Sequence, residues 1–133
     1  MQRVSTFGAE ERRQLASALA RVNDELSSAA AARRRDIDRI SELMTDFHVC
    51  FMDQCAGPAL RALYDVVRPH VRRYEWAYGM ESDATYTPSI LEHRAIIDAV
   101  ARGDGAGARA LIERHWANGV KRTRAMIERG RTR

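Results

Sequence analysis

Apolar residues recur along this chain every three or four positions, the period of helices that turn one face inward. Leu15, Leu19, Val22 and Leu26 form one such stripe and predict a first helix over about 9–27, with a short break near Ser27–Ala31. Ile37, Ile40, Met44, Phe47 and Phe51 carry a second, over about 33–55. Leu60, Leu63, Val67, Val71, Tyr74 and Tyr78 predict a third over about 58–79, with Pro69 inside it. Ile90, His93, Ile97 and Val100 share a face of a fourth helix, and Ala108, Leu111 and His115 share a face of a last one over about 105–129. No stretch shows sustained alternation of polar and apolar residues bounded by turn residues, so no strand is expected. The pattern predicts an all-α antiparallel bundle of five to six helices with short connections, one domain over residues 1–133.

The punctuation between stripes sharpens the boundaries. In Ala56-Gly57-Pro58, Gly57 suits a left-handed cap of the second helix and Pro58 the first turn of the third. A loop over roughly 80–88 follows. Ser89 and Glu92 then match a capping box, which places a helix start there and runs the fourth helix to about Arg102. The segment GDGAG turns the chain, with Asp104 as N-cap of the last helix.

Composition narrows the class. A chain of 133 residues with 45% hydrophobic and 30% charged residues is long enough and apolar enough for one core. It contains no run of eighteen apolar residues, and its start, MQRVSTFGAEERR, has no apolar leader-like stretch. No membrane span is expected, and cytoplasm is the expected location. Cys50 and Cys55 fall on different helix faces and suit a reducing compartment. The net charge is +4, carried almost entirely by arginine, and the tail KRTRAMIERGRTR is basic. Cations at a helix C-terminus complement its dipole. The tail therefore reads as a solvated helix end; nucleic-acid contact is the alternative, which no interleaved aromatics or DNA-reading motif supports.

Three histidines carry the candidate chemistry. His93 and His115 lie on core-facing stripes, and His48 stands one turn from Met44 beside the Phe47/Phe51 stripe. A buried imidazole needs partners for both nitrogens, and leaving one unmade costs about 1–3 kcal/mol. A single such residue is usually a satisfied core group. Three from different helices are costly unless something joins them, and a divalent transition metal does so through neutral imidazole. No HExxH or CxxC spacing adds to the signal.

The segments DFHVCF…AGP, LYDVVRPHVRRYEWAYG, SILEHRAIIDAVARGDGAGARALIERHW and HWANGVKR, in this order, resemble the FCD domain, the C-terminal effector domain of FadR-subfamily GntR transcription regulators. The resemblance spans roughly residues 5–128. It implies an all-α bundle that binds a small effector, often a carboxylate, around a metal held by one Asp and three His. The family's three histidines fall on His48, His93 and His115. Its aspartate, one turn before the first histidine, falls on Met44. Asp46 is about 200° around the helix from His48 and cannot replace it. A thioether is a poor zinc ligand, so the implied site is three imidazoles with open positions for water or effector, holding zinc or another transition metal such as nickel. The winged helix-turn-helix through which such regulators read DNA has no counterpart in this sequence, and STFGAEERRQL resembles the start of the family's second effector helix. A groove left by the first would expose apolar surface, which predicts a homodimer.

Further groups join the expected effector site. Arg68 and Arg72 share a face by i,i+4 spacing and suit bidentate binding of a carboxylate, against the alternative of a solvated helix edge. Asn118 and Arg122 stand one turn apart after His115 and either order the helix or line a pocket. Met44 borders the same site. Trp76 and Trp116 read as packing groups and His70 as an exposed residue. Three functions follow: a metal-dependent effector-sensing module, which leads; a metal-dependent hydrolase, weakened by the lack of a carboxylate placed as general base; and a metal-free helical dimerisation domain.

Overall fold

Five α-helices and one short 3-10 turn, with no strand, make up the described residues, 2–81 and 84–132 of a computed structural model. After the 3-10 turn Gln2–Thr6 come α1 (Ala9–Ala31), α2 (Ile37–Cys55), α3 (Pro58–Gly79), α4 (Thr87–Ala101) and α5 (Gly105–Arg131). Residues 82 and 83 of the expected loop, and Arg133 of the basic tail, lie outside the described residues. The all-α bundle predicted from periodicity is the observed fold.

Three boundaries differ from the sequence reading. The first helix does not break at Ser27–Ala31 but runs through it to Ala31, because Ala29, Ala30 and Ala31 are the strongest of helix formers. The break falls instead over Ala32–Asp36, where three successive arginines precede Asp36, whose side chain caps α2 by accepting from the Arg39 N–H at 3.1 Å. Gly57 is not left-handed: its φ is −77°, and it serves as N-cap of α3 with Pro58 in the first turn. Ser89 and Glu92 form no capping box. The fourth helix starts at Thr87, with Tyr86 at the N-cap and Pro88 in the first turn, so both residues lie inside it. Their side chains are thereby released for long-range partners.

The α4–α5 turn agrees with expectation in detail. Gly103 adopts a left-handed φ of 71°, which glycine does without steric cost. The Asp104 N–H bonds Ala99 O at 2.9 Å and the Gly103 N–H bonds Val100 O at 3.0 Å, the paired bonds of a Schellman cap. Asp104 then caps α5 through the Gly107 N–H at 2.8 Å.

Helix α1 packs on α2 and α4, α5 packs on α4, and α3 lies along α2 with a lighter contact to α5. One core cluster joins Leu15, Leu19, Phe47, Phe51, Ile96 and Val100; a second joins Leu26, Ile40, Leu43, Met44, Tyr86 and Ile90. Phe47, Leu19, Leu26, Ile40 and Ile96 are essentially sealed from solvent, each worth about 1.5–3 kcal/mol of burial. The third helix is the exception. Leu60, Leu63, Val67 and Tyr74 of its apolar stripe are exposed, as is the neighbouring Val66, and Gly79 is its one buried residue.

Candidate metal centre

The pattern that folds each helix also aims its histidine. In α2, His48 follows the buried Phe47 and lies one turn from Met44, so it turns inward at 8% exposure. In α4, His93 stands between Ile90 and Ile96 on the buried face and is fully buried. In α5, His115 stands two turns from Ala108 and is buried too. The three rings meet: one ligand nitrogen from each lies within 4.8 Å of the others. Ring centroids of His93 and His115 are 4.8 Å apart, those of His48 and His115 5.2 Å, and those of His48 and His93 5.8 Å. The His93 ring also stacks on Phe47 at 3.7 Å, the two planes nearly parallel.

Hydrogen bonds fix which nitrogens converge. Asn23, buried in α1, donates its Nδ2–H to Ile90 O at 3.2 Å, so its Oδ1 is the acceptor toward His93. His93 Nδ1 lies 3.0 Å from that oxygen and must carry the proton, which leaves its Nε2 with a lone pair. This Nε2 is buried and has no hydrogen-bond partner among the described residues. His115 Nδ1 lies 2.6 Å from Glu92 Oε2 and donates to it, while His115 Nε2 faces His48 Nε2 at 3.4 Å.

Glu92 is itself held. Asn118 Nδ2 donates to it at 2.7 Å and Arg122 at 3.1 and 3.2 Å, and Arg122 also donates to Ser89 Oγ at 3.2 Å. Burial alone would raise its pKa, but the bonds from Arg122, His115 and Asn118 outweigh it and hold the carboxyl at about 2. The imidazoles move the same way for a different reason. Burial, with the neighbouring His115, lowers His48 to about 3. Burial, with His48, His115 and Arg122 nearby, lowers His93 to about 2. Burial also lowers His115, although Glu92 pulls it back upward. At neutral pH the cluster is therefore three neutral imidazoles backed by one carboxylate and one carboxamide, the donor set and supporting shell of a transition-metal site. The orphaned Nε2 of His93 fits a cation, because nothing else satisfies it.

The cluster opens onto a cavity of about 550 Å³ between α2, α3 and α5. Met44, His48 and His115 stand in its wall beside Trp116, whose ring lies 4.7 Å from that of His48. Ser41, Tyr74, Glu75, Tyr78 and Tyr86 are among its other lining residues, and the C-terminal half of α5 adds Arg122, Arg124, Glu128 and Arg131. A second large depression, between α1 and α2, is open to solvent, is lined by surface ion-paired residues such as Glu25 and Arg39, and holds no part of the cluster.

The structure brings His48, His93, His115 and Met44 together at the cavity, sets Asn118 off the cavity wall on Glu92, and leaves two expected residues apart from the cluster. Arg68 and Arg72 do not line the cavity; Arg72 is exposed and lies 3.8 Å from Glu42 on the outer edge of α2. The arginines on the cavity wall are instead Arg122, Arg124 and Arg131 of α5. His70 and Asp46 are exposed, and Trp76 donates to Asp38 at the surface at 3.0 Å. Two residues of the cluster escaped the sequence reading. Glu92 was assigned to a helix cap. Asn23 was passed over, although a polar residue four after Leu19 and three before Leu26 stands on a core stripe.

A helical bundle whose interior gathers imidazoles at the wall of a cavity defines a class: domains that take a small ligand between their helices. The sequence model of the FCD domain matches residues 4–118, and the chain belongs to that family. FCD domains are the effector-binding domains of GntR-type transcription regulators. No curated protein and no solved structure matches the chain. Among the described residues no helix is long and apolar enough to cross a membrane.

Proposed function

We propose that this chain is a metal-dependent sensor domain that holds one divalent transition metal on His48, His93 and His115 and takes a small carboxylate effector into the adjoining cavity. The observation that carries this reading is the buried, unpartnered Nε2 of His93, aimed at two more imidazoles. A bound zinc or nickel ion would supply positive charge and open coordination positions for a carboxylate. The chain's own residues do the rest. Asn23 and Glu92 hold two of the rings in the tautomer that frees Nε2. Arg122 adds positive charge at the cavity wall, and Trp116 and the tyrosines exclude water from the ligand's apolar part.

In this reading the protein is a cytoplasmic homodimer and a sensor, not an enzyme. The carboxylate beside the histidines that a hydrolase needs as general base is Glu92, and it is locked by His115, Asn118 and Arg122 and held fully ionised. DNA is read by a winged helix-turn-helix domain and not by this bundle. The test is elemental analysis of the purified protein, followed by calorimetric titration of zinc and of small carboxylates into the zinc-loaded form. Stoichiometric metal and a carboxylate affinity that disappears on chelation support the reading; a protein that binds no divalent metal at micromolar concentration sinks it.

A further inference from the structure

The cavity has a second polar end. Glu75 of α3 lines it, and among the described residues its carboxyl makes no hydrogen bond and no close ion pair. Ser41 of α2 lines the same cavity, is 3% exposed, and its hydroxyl is buried without a partner. Surface contacts set the two level with each other. Trp76 meets Asp38 and Arg72 meets Glu42, so α3 runs antiparallel to α2 and Glu75 stands opposite the 38–42 stretch. Burying the Ser41 hydroxyl without a partner costs free energy, and the half-buried Glu75 carboxyl loses part of its hydration, unless something else satisfies them.

Building on the proposed carboxylate sensor, we infer that Glu75 and Ser41 receive a hydrogen-bond donor at the far end of the effector, which is therefore a short acid with a terminal hydroxyl or amino group. Glu75 fits this role electrically. Burial, opposed by the more distant Arg72, raises its pKa to about 7, so a ligand donor gains a strong acceptor and a cationic one stabilises its charge. The intervening walls, Met44, Val71, Tyr74 and Tyr78, suit a methylene chain.

The helix sets the length. Ser41 and His48 are seven residues apart on α2, roughly 10 Å at 1.5 Å per residue. A metal–oxygen bond of about 2 Å at one end and a hydrogen bond of about 2.8 Å at the other leave roughly 5–6 Å for the ligand. An extended chain advances roughly 1.2 Å per bond, so about five bonds separate the metal-bound carboxylate oxygen from the donor, about four of them beyond the carboxyl carbon.

The test uses the zinc-loaded full chain and three probes on one carbon skeleton: butanoate, 4-hydroxybutanoate and 4-aminobutanoate. Affinities are measured by calorimetry for the wild type, Glu75→Gln, Glu75→Leu and Ser41→Ala, with a melting curve of each variant as the folding control. At least one substituted acid is expected to bind the wild type tenfold or more tightly than butanoate. Glu75→Leu should erase that advantage and tighten butanoate. The near-isosteric Glu75→Gln separates the two donors: loss of 4-aminobutanoate alone identifies a terminal cation, and retention of 4-hydroxybutanoate a terminal alcohol. Ser41→Ala should weaken the favoured acid without affecting butanoate. Butanoate binding as tightly as both substituted acids, unchanged by Glu75→Leu, overturns the inference and leaves the carboxylate sensor standing. If none of the three binds at millimolar concentration, the sensor reading and this inference fall together.

Discussion

Asn23 Oδ1 lies 3.0 Å from His93 Nδ1, and this contact decides which nitrogen of His93 is free. The carboxamide cannot flip, because its other end donates to Ile90 O. Removing it by Asn23→Leu leaves Nδ1 without its acceptor and frees the ring to change tautomer. Metal affinity is expected to fall about 10–100-fold, the usual cost of losing an outer partner of a ligating histidine. A zinc titration checks this; an unchanged dissociation constant would show that Phe47 stacking alone orients the ring.

Chelation should lower the melting temperature. An ion that binds only the folded chain at one hundred times its Kd stabilises it by about 2.7 kcal/mol, a shift on the order of 10 °C for a domain of this size. His93→Ala should abolish most of that shift while the far-ultraviolet helix spectrum stays near that of the wild type. Identical melting curves with and without chelator would mean that the histidines are structural.

Met44 stands one turn before His48, on the cavity wall. Met44→Asp replaces a soft thioether with a hard oxygen ligand on the same helix face. Zinc affinity is expected to rise tenfold or more, read by competition with a chelating dye. A decrease would show that the side chain at 44 points past the imidazoles.

Acid should destabilise the metal-free protein. His48 and His93 titrate near 3 and 2 in the folded chain but near 6.5 when unfolded. Between these values the unfolded chain binds more protons, so stability falls as pH drops below about 6.5. Glu92, lowered to about 2, extends the loss below 4.5. Glu75, raised to about 7, works the other way between 7 and 4.5, because the folded chain holds its proton there. Each unopposed proton is worth about 1.4 kcal/mol per pH unit, and the histidines outnumber Glu75. The melting temperature should drop from pH 7 to pH 5, less steeply in His93→Phe and more steeply in Glu75→Gln. A rise on acidification contradicts the assignment.

The exposed Leu60, Leu63, Val66 and Val67 on α3 are expected to seat a second copy of the chain. Multi-angle light scattering should give twice the monomer mass, and Leu63→Glu with Val67→Glu should give the monomer. A wild-type monomer at high concentration would place the dimer expectation in error.

What the sequence conveyed, and what it hid, follows from distance along the chain. Pro58, Gly103 and Asp104 act on their immediate neighbours, so α3 and the α4–α5 turn were readable from local chemistry. The histidine faces were readable too, since a 3-4 spacing with Ile90 or Ala108 fixes direction without knowledge of the partner. Glu92 was not, because the residues that use it lie 23, 26 and 30 positions away. A local pattern, Ser89-x-x-Glu92, offered a nearer explanation for it. That Arg68 and Arg72 stand off the cavity was hidden for the converse reason. Periodicity said that they share an edge, but which helix faces that edge depends on how α3 is laid against α2.

Helix α3 contributes no histidine to the cluster, and its one buried residue is Gly79. Its attachment to α2 runs through surface pairs, Arg61 with Asp53, Arg72 with Glu42 and Trp76 with Asp38. The cavity thus has two fixed walls, α2 and α5, and one hung on their frame by polar hinges. An ion on the histidines would stiffen the fixed walls and leave the door free. Segments with so little buried apolar surface open first, so in the monomeric Leu63→Glu, Val67→Glu variant amide exchange should run fastest in α3 and slow there when the cavity fills. Entry, and the signal that something has entered, then belong to the same helix.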